Sequence, residues 1–317
     1  MVNRNPAKLF AAGLQQNPSR ANFNQNHNSS VPRLTSQNGS TDPRNTPAQI
    51  INTIHVLLAS QGEICLSETV PTGVVGLDEM VSGGFPKGRV ILVIGGPGAG
   101  KTIFASQFLY KGIADYNEKG ILVSLDENKN HFYSEMAKFG WDFKKAEEEN
   151  KFAFIDATRV SRVAILKEKM LKEETASLRG KQLQIDRLIE ELQAKIQQLQ
   201  AKRVVMDTLA SLFYRFTDPI ERRTAGVDLI EALSDLGITT VVTTELGQLS
   251  LERKTLDEEF MVHGVIMMQT LYSGGTTTRG LQVVKMRGVA TNANLVPYTI
   301  DKGGIEIFPT MSLFRER

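Results

Sequence analysis

The sequence predicts an α/β fold built on a mostly parallel β-sheet flanked by helices, with an antiparallel extension at the C-terminal end. Short apolar segments alternate with segments of helical period, and a glycine-rich loop joins the first such pair. After residue 264, strand-like segments follow one another with no helix between them. Strands that alternate with helices are typical of βαβ units and a parallel sheet.

The first predicted strand covers residues 89–94, a continuous apolar run between Gly88 and Gly95. Such a run is typical of a strand buried on both faces of a parallel sheet. Residues 102–117 and 132–139 carry apolar side chains at helical spacing. Further strand-like runs lie at 120–126, 152–155, 203–206 and 239–243, and the C-terminal ones at 265–271, 280–286, 298–300 and 305–308.

A charged segment without proline, residues 162–202, interrupts this alternation. Five apolar residues in it follow alternating steps of four and three, namely Ile185, Ile189, Leu192, Ile196 and Leu199. Two heptads are fewer than a coiled coil needs. We interpret the segment as an amphipathic helical insert on its own domain, in a hairpin with residues 166–178, and keep an intermolecular coiled coil as the alternative.

Composition separates an N-terminal tail, residues 1–62, from a single large domain, residues 63–317. Asn, Gln, Ser and Pro supply about half of the first fifty residues, which predicts a disordered tail. Those fifty residues carry five basic side chains and one acidic, a balance of +4, so the rest of the chain is near −2 against the total of +2. A slightly acidic domain does not favour nucleic acid as a partner.

The single cysteine, Cys65, excludes an internal disulfide framework and a cysteine-rich zinc site. Three widely separated histidines, His55, His131 and His263, lack the spacing of metal ligands, and we interpret them as structural or surface residues. No apolar run is long enough to span a bilayer, and the N-terminus lacks the pattern of a signal peptide. We therefore expect a cytoplasmic protein with no membrane partner.

The glycine-rich loop fits the pattern G-x-x-x-x-G-K-[ST] of a P-loop, also called Walker A, and it lies between a buried strand and a helix as that motif requires. Its glycines allow successive backbone N–H groups to converge on one anion at a helix N-terminus. The pattern predicts bound ATP, with the lysine on the β- and γ-phosphates and the threonine hydroxyl on Mg²⁺. The loop comprises Gly95, Gly96, Pro97, Gly98, Ala99, Gly100, Lys101 and Thr102.

Carboxylates at the ends of two other predicted strands complete the predicted site. Asp207 ends the run 203–206, at the edge where ligands bind in parallel sheets, and we expect it to orient Mg²⁺. Asp126 and Glu127 follow the predicted strand 121–125 on opposite strand faces, so one of them can face the phosphates. A carboxylate near the γ-phosphate is suited to orient or deprotonate the attacking water, although a solvent-exposed acidic turn fits the spacing equally well.

The ordered set of motifs resembles a KaiC-type ATPase of the RecA superfamily over residues 64–310. The matching segments are Thr72–Asp78, Gly83–Gly88, the glycine-rich loop, Ser106–Gly112, Leu125–Asn128, Arg203–Asp207, Thr243–Glu245, Glu258–Val262 and Lys285–Gly288. The resemblance implies a RecA-like P-loop NTPase core, usually a homohexameric ring with ATP between subunits.

The resemblance also implies roles for single residues. Glu127 takes the position of the catalytic glutamate, with Asp126 as its acidic neighbour. Lys285 and Arg287 match the basic pair that reaches the γ-phosphate on the neighbouring subunit, where they would stabilise charge on the transferred phosphoryl group. The strand end that senses the nucleotide corresponds to Thr243, Thr244 and Glu245.

The chain departs from the clock protein KaiC in several places. KaiC has two such domains and this chain has one. Glu259 and Phe260 stand where the autokinase half of KaiC has Ser and Thr acceptors, so we do not expect autokinase activity. Thr291 stands where the ATPase half often has His, and the charged insert is longer than is usual in the family.

Three functions fit these observations. The first is a Mg²⁺-dependent, ring-forming regulatory ATPase that signals to a protein partner, and the sequence favours it because both carboxylates are present. The second is a RadA-like DNA-binding recombinase paralogue, which would need basic loops, whereas residues 247–254 and 273–279 carry little positive charge. The third is a scaffold that binds ATP to assemble without hydrolysing it.

Overall fold

The computed structural model describes residues 68–158, 178–213, 216, 218–246, 255–273 and 275–313. Contacts divide the chain into Met1–Ile64 and Cys65–Arg317, and every described residue belongs to the second unit. The predicted disordered tail, the hairpin partner 166–178 apart from its last residue, and the loop 247–254 lie outside the described residues.

The described residues form eleven strands and eight α-helices. The strands are β1 (Thr69–Val70), β2 (Phe85–Pro86), β3 (Val90–Gly95), β4 (Gly120–Ser124), β5 (Phe152–Asp156), β6 (Arg203–Asp207), β7 (Thr239–Glu245), β8 (Gly264–Ser273), β9 (Thr276–Met286), β10 (Val296–Asp301) and β11 (Gly304–Ile307). The helices are α1 (Leu77–Met80), α2 (Lys101–Tyr116), α3 (Lys129–Met136), α4 (Phe143–Glu148), α5 (Leu178–Leu199), α6 (Leu209–Phe213), α7 (Pro219–Asp235) and α8 (Asp257–Met261).

Nine strands form one sheet in the order β11-β10-β9-β8-β3-β7-β6-β4-β5. The six strands from β8 to β5 are parallel, and β9, β10 and β11 continue the sheet in antiparallel pairs. This arrangement confirms the predicted fold class. One detail differs: β8 pairs in parallel with β3, so the antiparallel extension begins with β9 and not with the segment 265–271.

The sheet separates two apolar cores, and alternate residues of β3 face each of them. Ile91 and Val93 belong to the core that packs against α2, α3 and α4. Val90, Leu92 and Ile94 belong to the core that packs against α5 and α7. Burial on both faces explains why the sequence of β3 is continuously apolar.

Helix α5 forms the described part of the charged insert, and it packs on its own domain. Its residues Ile185, Leu188, Leu192 and Leu199 are buried in the second core, while Ile189 and Ile196 are partly buried against it. The apolar stripe that the heptad spacing indicated is therefore covered by β4, β5 and α7 of the same chain. This agrees with the amphipathic-helix interpretation and leaves no free seam on the described residues for a coiled coil.

The antiparallel extension packs against helix α2. Gln107 of α2 accepts from the Ile305 N–H at 2.6 Å and donates to the Ile305 carbonyl at 3.1 Å. Tyr298 of β10 donates to the Ala99 carbonyl at 2.6 Å, and both groups are buried. The extension therefore contacts both the glycine-rich loop and the helix that follows it.

Within the described residues, no helix combines the length and the apolar character that a membrane span requires.

Candidate functional site

The glycine-rich loop connects the C-terminal end of β3 to the first residue of α2. Gly98 and Gly100 have φ angles of 74° and 91°, in the positive-φ region that residues with a Cβ rarely adopt. A Cβ on Gly100 would lie 2.6 Å from Ile300 Cδ1, and one on Gly95 would lie 2.7 Å from the Met268 carbonyl oxygen. Backbone angle and close packing therefore both require glycine in this loop.

Lys101 folds back over the loop from the start of α2. Its Nζ donates to the carbonyl oxygens of Gly95 at 3.0 Å and Gly96 at 3.2 Å. Burial lowers the pKa of Lys101 below its ordinary value, and the negative charges of Glu245 and Asp207 oppose that shift. The ammonium group thus lies at the loop, where these two carboxylates favour its charged form.

Asp207 lies at the centre of a hydrogen-bonded set of oxygen atoms at the end of β6. Its Oδ2 accepts from Thr102 Oγ1 at 2.7 Å, and its Oδ1 accepts from Thr243 Oγ1. Thr102 is the second residue of α2, and Thr243 lies near the end of β7, the neighbour of β6. Three separate elements therefore bring one carboxylate and two hydroxyls together beside the loop.

Glu127 follows β4 at the same edge of the sheet, in a turn held by Ser124. The Ser124 hydroxyl accepts from the Glu127 N–H at 3.0 Å and donates to the Glu127 carbonyl at 2.7 Å. Burial raises the pKa of the Glu127 carboxyl above its ordinary value, and the charges of Glu135 and Asp207 raise it further against the opposing charge of His131. Glu127 is half-buried and close enough to Asp207 to interact with it electrostatically.

The remaining predicted residues at this edge differ in exposure. Asp126 is exposed and Glu127 is half-buried, but β4 ends at Ser124, so both residues lie in the turn after the strand and the predicted alternation of strand faces does not apply to them. Thr244 is buried, whereas Glu245 is exposed and pairs in register with Gly95. Thr243 is the member of this strand end that contacts Asp207 directly.

Lys285 and Arg287 lie at the other end of the central strands. Lys285 is level with Val265 on β8, and Val265 is level with Leu92, so Lys285 lies toward the start of β3 while the loop follows its end. Lys285 Nζ donates to the Glu259 carbonyl, and Arg287 Nη2 donates to the Phe260 carbonyl at 3.1 Å. Both side chains therefore contact α8, away from the loop of their own subunit.

The structure thus gathers most of the predicted site residues at one edge and separates two of them from it. Lys101, Thr102, Glu127, Asp207 and Thr243 lie around the glycine-rich loop. Lys285 and Arg287 lie on and directly after β9, two strands away from β3 in the sheet. Lys285 is level with Leu92, about 10 Å before Gly95 along the strand at ~3.3 Å per residue, and two strand spacings add about 10 Å across the sheet, so the pair is separated from the loop of its own subunit.

Sequence reasoning did not single out Ser124, Arg89 or His263 as site residues. Ser124 is the third residue before Glu127, and serine at that offset is a known signal for a turn closed by its hydroxyl. Arg89 and His263 are far apart in sequence, but the structure places Arg89 Nη1 3.1 Å from His263 Nε2. No periodicity or spacing in the sequence indicates that contact.

Among the described residues, no group of three or more His, Cys, Asp or Glu side chains could hold a metal ion by itself. The hard oxygen atoms of Thr102 and Asp207 are the kind of donors that Mg²⁺ uses when substrate phosphates and water supply its remaining ligands.

Comparisons with known proteins agree with these observations. The KaiC ATPase family model matches residues 70–312. A UPF0273 protein of Methanocaldococcus jannaschii is 36% identical over 241 residues, which are 76% of this chain and 96% of that protein. The circadian clock protein KaiC2 of Synechocystis sp. is 33% identical over 243 residues, 77% of this chain and 40% of that protein, so the match spans less than half of the clock protein.

The solved structure of a KaiC-like protein from Pyrococcus horikoshii superposes with a TM-score of 0.63 at 32% identity, covering 77% of this chain and all of that one. The fold and the loop define a RecA-type α/β ATPase domain, a class whose members bind nucleotides. The chain belongs to the KaiC ATPase family, and several of the relatives are proteins of similar single-domain length.

Proposed function

We propose that this protein is a Mg²⁺-dependent ATPase that binds and hydrolyses ATP between the subunits of a homo-oligomeric ring. The observation that carries the proposal is the network of Thr102, Asp207 and Thr243 beside the glycine-rich loop. In a glycine-rich turn without a bound ligand, nothing would require the hydroxyls of Thr102 and Thr243, from two different elements, to meet at the carboxylate of Asp207. Family membership supports the same activity.

The triphosphate is expected to lie over the loop, at the N-terminus of α2. The backbone N–H groups of residues 95–102 and the positive end of the helix dipole favour an anion there. Lys101 would exchange its bonds to the Gly95 and Gly96 carbonyls for the β- and γ-phosphates. Burial disfavours the charged form of Lys101. The negative charge of a phosphate would offset that cost more fully than the two neutral carbonyl groups do.

The Mg²⁺ ion would be held by Thr102, with Asp207 orienting its bound water. Thr102 Oγ1 already donates its proton to Asp207 Oδ2, which leaves the oxygen lone pairs free to bind a cation. Asp207 is in turn held by the Thr243 hydroxyl. A Mg²⁺ ion held there would neutralise part of the negative charge of the phosphates.

Glu127 is proposed to orient the attacking water and accept its proton. It faces the edge of the sheet beside Asp207, and burial raises its pKa, so the carboxylate is a stronger base than an exposed one. In this proposal Asp126, Thr244 and Glu245 lie near the bound nucleotide. The negative charge of Glu245 also favours the charged form of Lys101. Asp126 is exposed and has no assigned chemical step.

Lys285 and Arg287 are proposed to stabilise charge on the γ-phosphate of an ATP bound to the neighbouring subunit. Their side chains contact α8 and not the loop of their own subunit, which supports the proposal, and a ring of copies would supply the missing partner. We propose a homohexamer, by analogy with the family, that acts as a regulatory switch on a protein partner in the cytoplasm. Neither a nucleic acid nor a membrane is part of this proposal.

The test compares phosphate release by the wild-type chain and by Glu127→Gln. We expect the variant to bind a fluorescent ATP analogue as tightly as wild type and to lose roughly 10²-fold or more in hydrolysis, as is typical when a general base is removed. Glu135→Gln is a matched control, because it removes a carboxylate that acts on Glu127 only through its charge. Equal hydrolysis by wild type and Glu127→Gln would contradict the assigned mechanism.

A further inference from the structure

Four basic side chains from separate parts of the chain meet near the N-terminal end of the central strands. They are Arg89 before β3, His263 before β8, Lys285 in β9 and Arg287 directly after it, and we call them the basic corner. The His263 N–H donates to the Val90 carbonyl at 3.0 Å, and the His263 carbonyl accepts from the Arg287 N–H at 2.9 Å. The His263 backbone therefore connects the two strands that carry the other three residues.

The imidazole of His263 holds the guanidinium of Arg89. Arg89 Nη1 lies 3.1 Å from His263 Nε2. A neutral imidazole accepts at one nitrogen, and we assign that nitrogen as Nε2, because arginine offers donors only and this contact is shorter than the 3.4 Å between the Val90 N–H group and Nδ1. Burial and the positive charges of Arg89, Arg287 and Lys285 all lower the pKa of His263, which keeps the ring in this accepting form at neutral pH.

The corner carries more positive than negative charge. Burial and the Arg287 charge lower the pKa of Lys285, and within the described residues Glu259 is the carboxylate that opposes this shift. The two arginines of α7 form ion pairs with carboxylates of α8: Arg222 with Glu258 at 2.7 Å and Arg223 with Asp257 at 3.2 Å. Three cations beside one carboxylate repel one another, and an anion would relieve that repulsion.

We propose that the basic corner is a single phosphate-binding site in which Arg89 is a third cation, held in place by His263, for the terminal phosphate of a nucleotide bound to a second copy of the chain. This inference rests on the proposed ATPase function and extends the pair Lys285 and Arg287. A guanidinium matches the geometry of phosphate oxygens through two parallel N–H bonds, so Arg89 adds directional contacts to the lysine charge. His263 is a positioning residue, because it acts through Arg89.

The first experiment compares Arg89→Gln with Lys87→Gln. Lys87 lies two residues earlier, is exposed and pairs with the exposed Glu68, so its substitution removes the same charge outside the corner. We expect Arg89→Gln to retain binding of a fluorescent ATP analogue and to lose about 10²-fold in hydrolysis, the size of effect seen when one transition-state donor is removed. Lys87→Gln is expected to match wild type. Equal rates for the two variants would overturn the inference.

A mixing experiment tests whether Arg89 acts on a neighbouring subunit. Arg89→Gln has an intact glycine-rich loop, and Lys101→Ala has an intact basic corner. In equal mixtures about a quarter of the interfaces of a ring join the intact loop to the intact corner, so hydrolysis should return although each variant alone is inactive. The matched control mixes Arg89→Gln with the double variant Lys101→Ala/Arg89→Gln, which should stay inactive. No recovery in the first mixture would assign Arg89 a role within its own subunit and overturn the inference.

Two substitutions of His263 test its positioning role. Glutamine keeps an acceptor for the Arg89 guanidinium, and leucine does not. We expect His263→Gln to hydrolyse ATP within a few-fold of wild type and His263→Leu to fall to the level of Arg89→Gln, with ATP binding preserved in both. Equal losses in both variants would contradict the role. A wild-type chain that neither binds nor hydrolyses ATP would contradict the proposed function itself, whereas an active wild type with an unaffected Arg89→Gln would contradict this inference alone.

Discussion

At the scale of single residues, the hydroxyl of Ser124 determines where Glu127 lies. It forms two hydrogen bonds with the Glu127 backbone, and the adjoining Leu125 N–H donates to the Asp207 carbonyl at 2.7 Å. The turn that carries Glu127 is thus attached to the strand that carries Asp207. The distance between these two carboxylates is therefore set by backbone contacts and not by their side chains alone.

We predict that Ser124→Ala lowers the hydrolysis rate by roughly ten- to a hundredfold while ATP affinity stays unchanged, because a small displacement of a catalytic group is costly. Ser124→Thr, which keeps the hydroxyl, should recover part of the rate. Ser106→Ala is the matched control, since Ser106 is equally buried and its hydroxyl has no hydrogen-bond partner among the described residues. An equal loss in Ser106→Ala would assign the effect to packing.

The lowered pKa of His263 has a consequence for stability. Burial and the charges of Arg89, Arg287 and Lys285 disfavour its proton in the folded state, whereas the unfolded chain binds that proton near the ordinary pKa of about 6.5. Stability should therefore fall as pH drops from about 6.5 through the lower folded-state pKa. Thermal unfolding without nucleotide, from pH 7.5 to 5, should show wild type losing its advantage over His263→Gln. Parallel pH dependences would contradict this.

At the scale of elements, helix α5 contributes to stability through its buried residues rather than through association. Leu192→Ala should destabilise the domain by about 2–5 kcal/mol, the usual cost of truncating a buried leucine. Gln193→Ala, at the adjacent exposed position, is the control and should change little. Denaturant unfolding measures both. Without nucleotide, where we do not expect the ring to assemble, an intermolecular coiled coil of α5 would make the wild-type midpoint rise with protein concentration, whereas we expect the midpoint to be independent of concentration.

The elements that the sequence predicts well are those whose burial determines their composition. The run of apolar residues in β3 is continuous because both faces of that strand are buried. The helical period of α2 arises because one side of that helix is buried. The parallel pairing of β8 with β3 was not predictable in the same way. Helix α8, which precedes β8, has only five residues, too few to show a helical period. The direction of β8 therefore follows from the tertiary structure.

The same contrast applies to the candidate site. The glycine-rich loop and Asp207 could be predicted because local geometry requires those residue types at those places. The position of Lys285 and Arg287 relative to the loop depends on sheet order and register, which one sequence does not reveal. Their proposed role came from the resemblance, and the contact of Arg89 with His263 came from the structure alone.

At the scale of the whole molecule, the loop follows the end of β3 while the basic corner lies toward its start, so in the proposed ring one subunit would hold two halves of two different sites. A closed ring is the arrangement in which each interface completes one site without leaving an end unpaired. Association would then be coupled to nucleotide binding, because ATP bound on one copy would supply the anion for the corner of the next copy.

This coupling predicts how activity depends on protein concentration. The rate of hydrolysis per subunit should rise with concentration and level off where light scattering, with ATP and Mg²⁺ present, reports the mass of a ring. Below that concentration the subunits keep an intact loop, so they should still bind a fluorescent ATP analogue without turnover. Arg287→Gln should shift the rise to higher concentration, because it removes one cation from the interface, while Arg223→Gln, whose side chain pairs with Asp257, should not. A rate per subunit that stays constant down to the monomer would place all the catalytic groups within one chain.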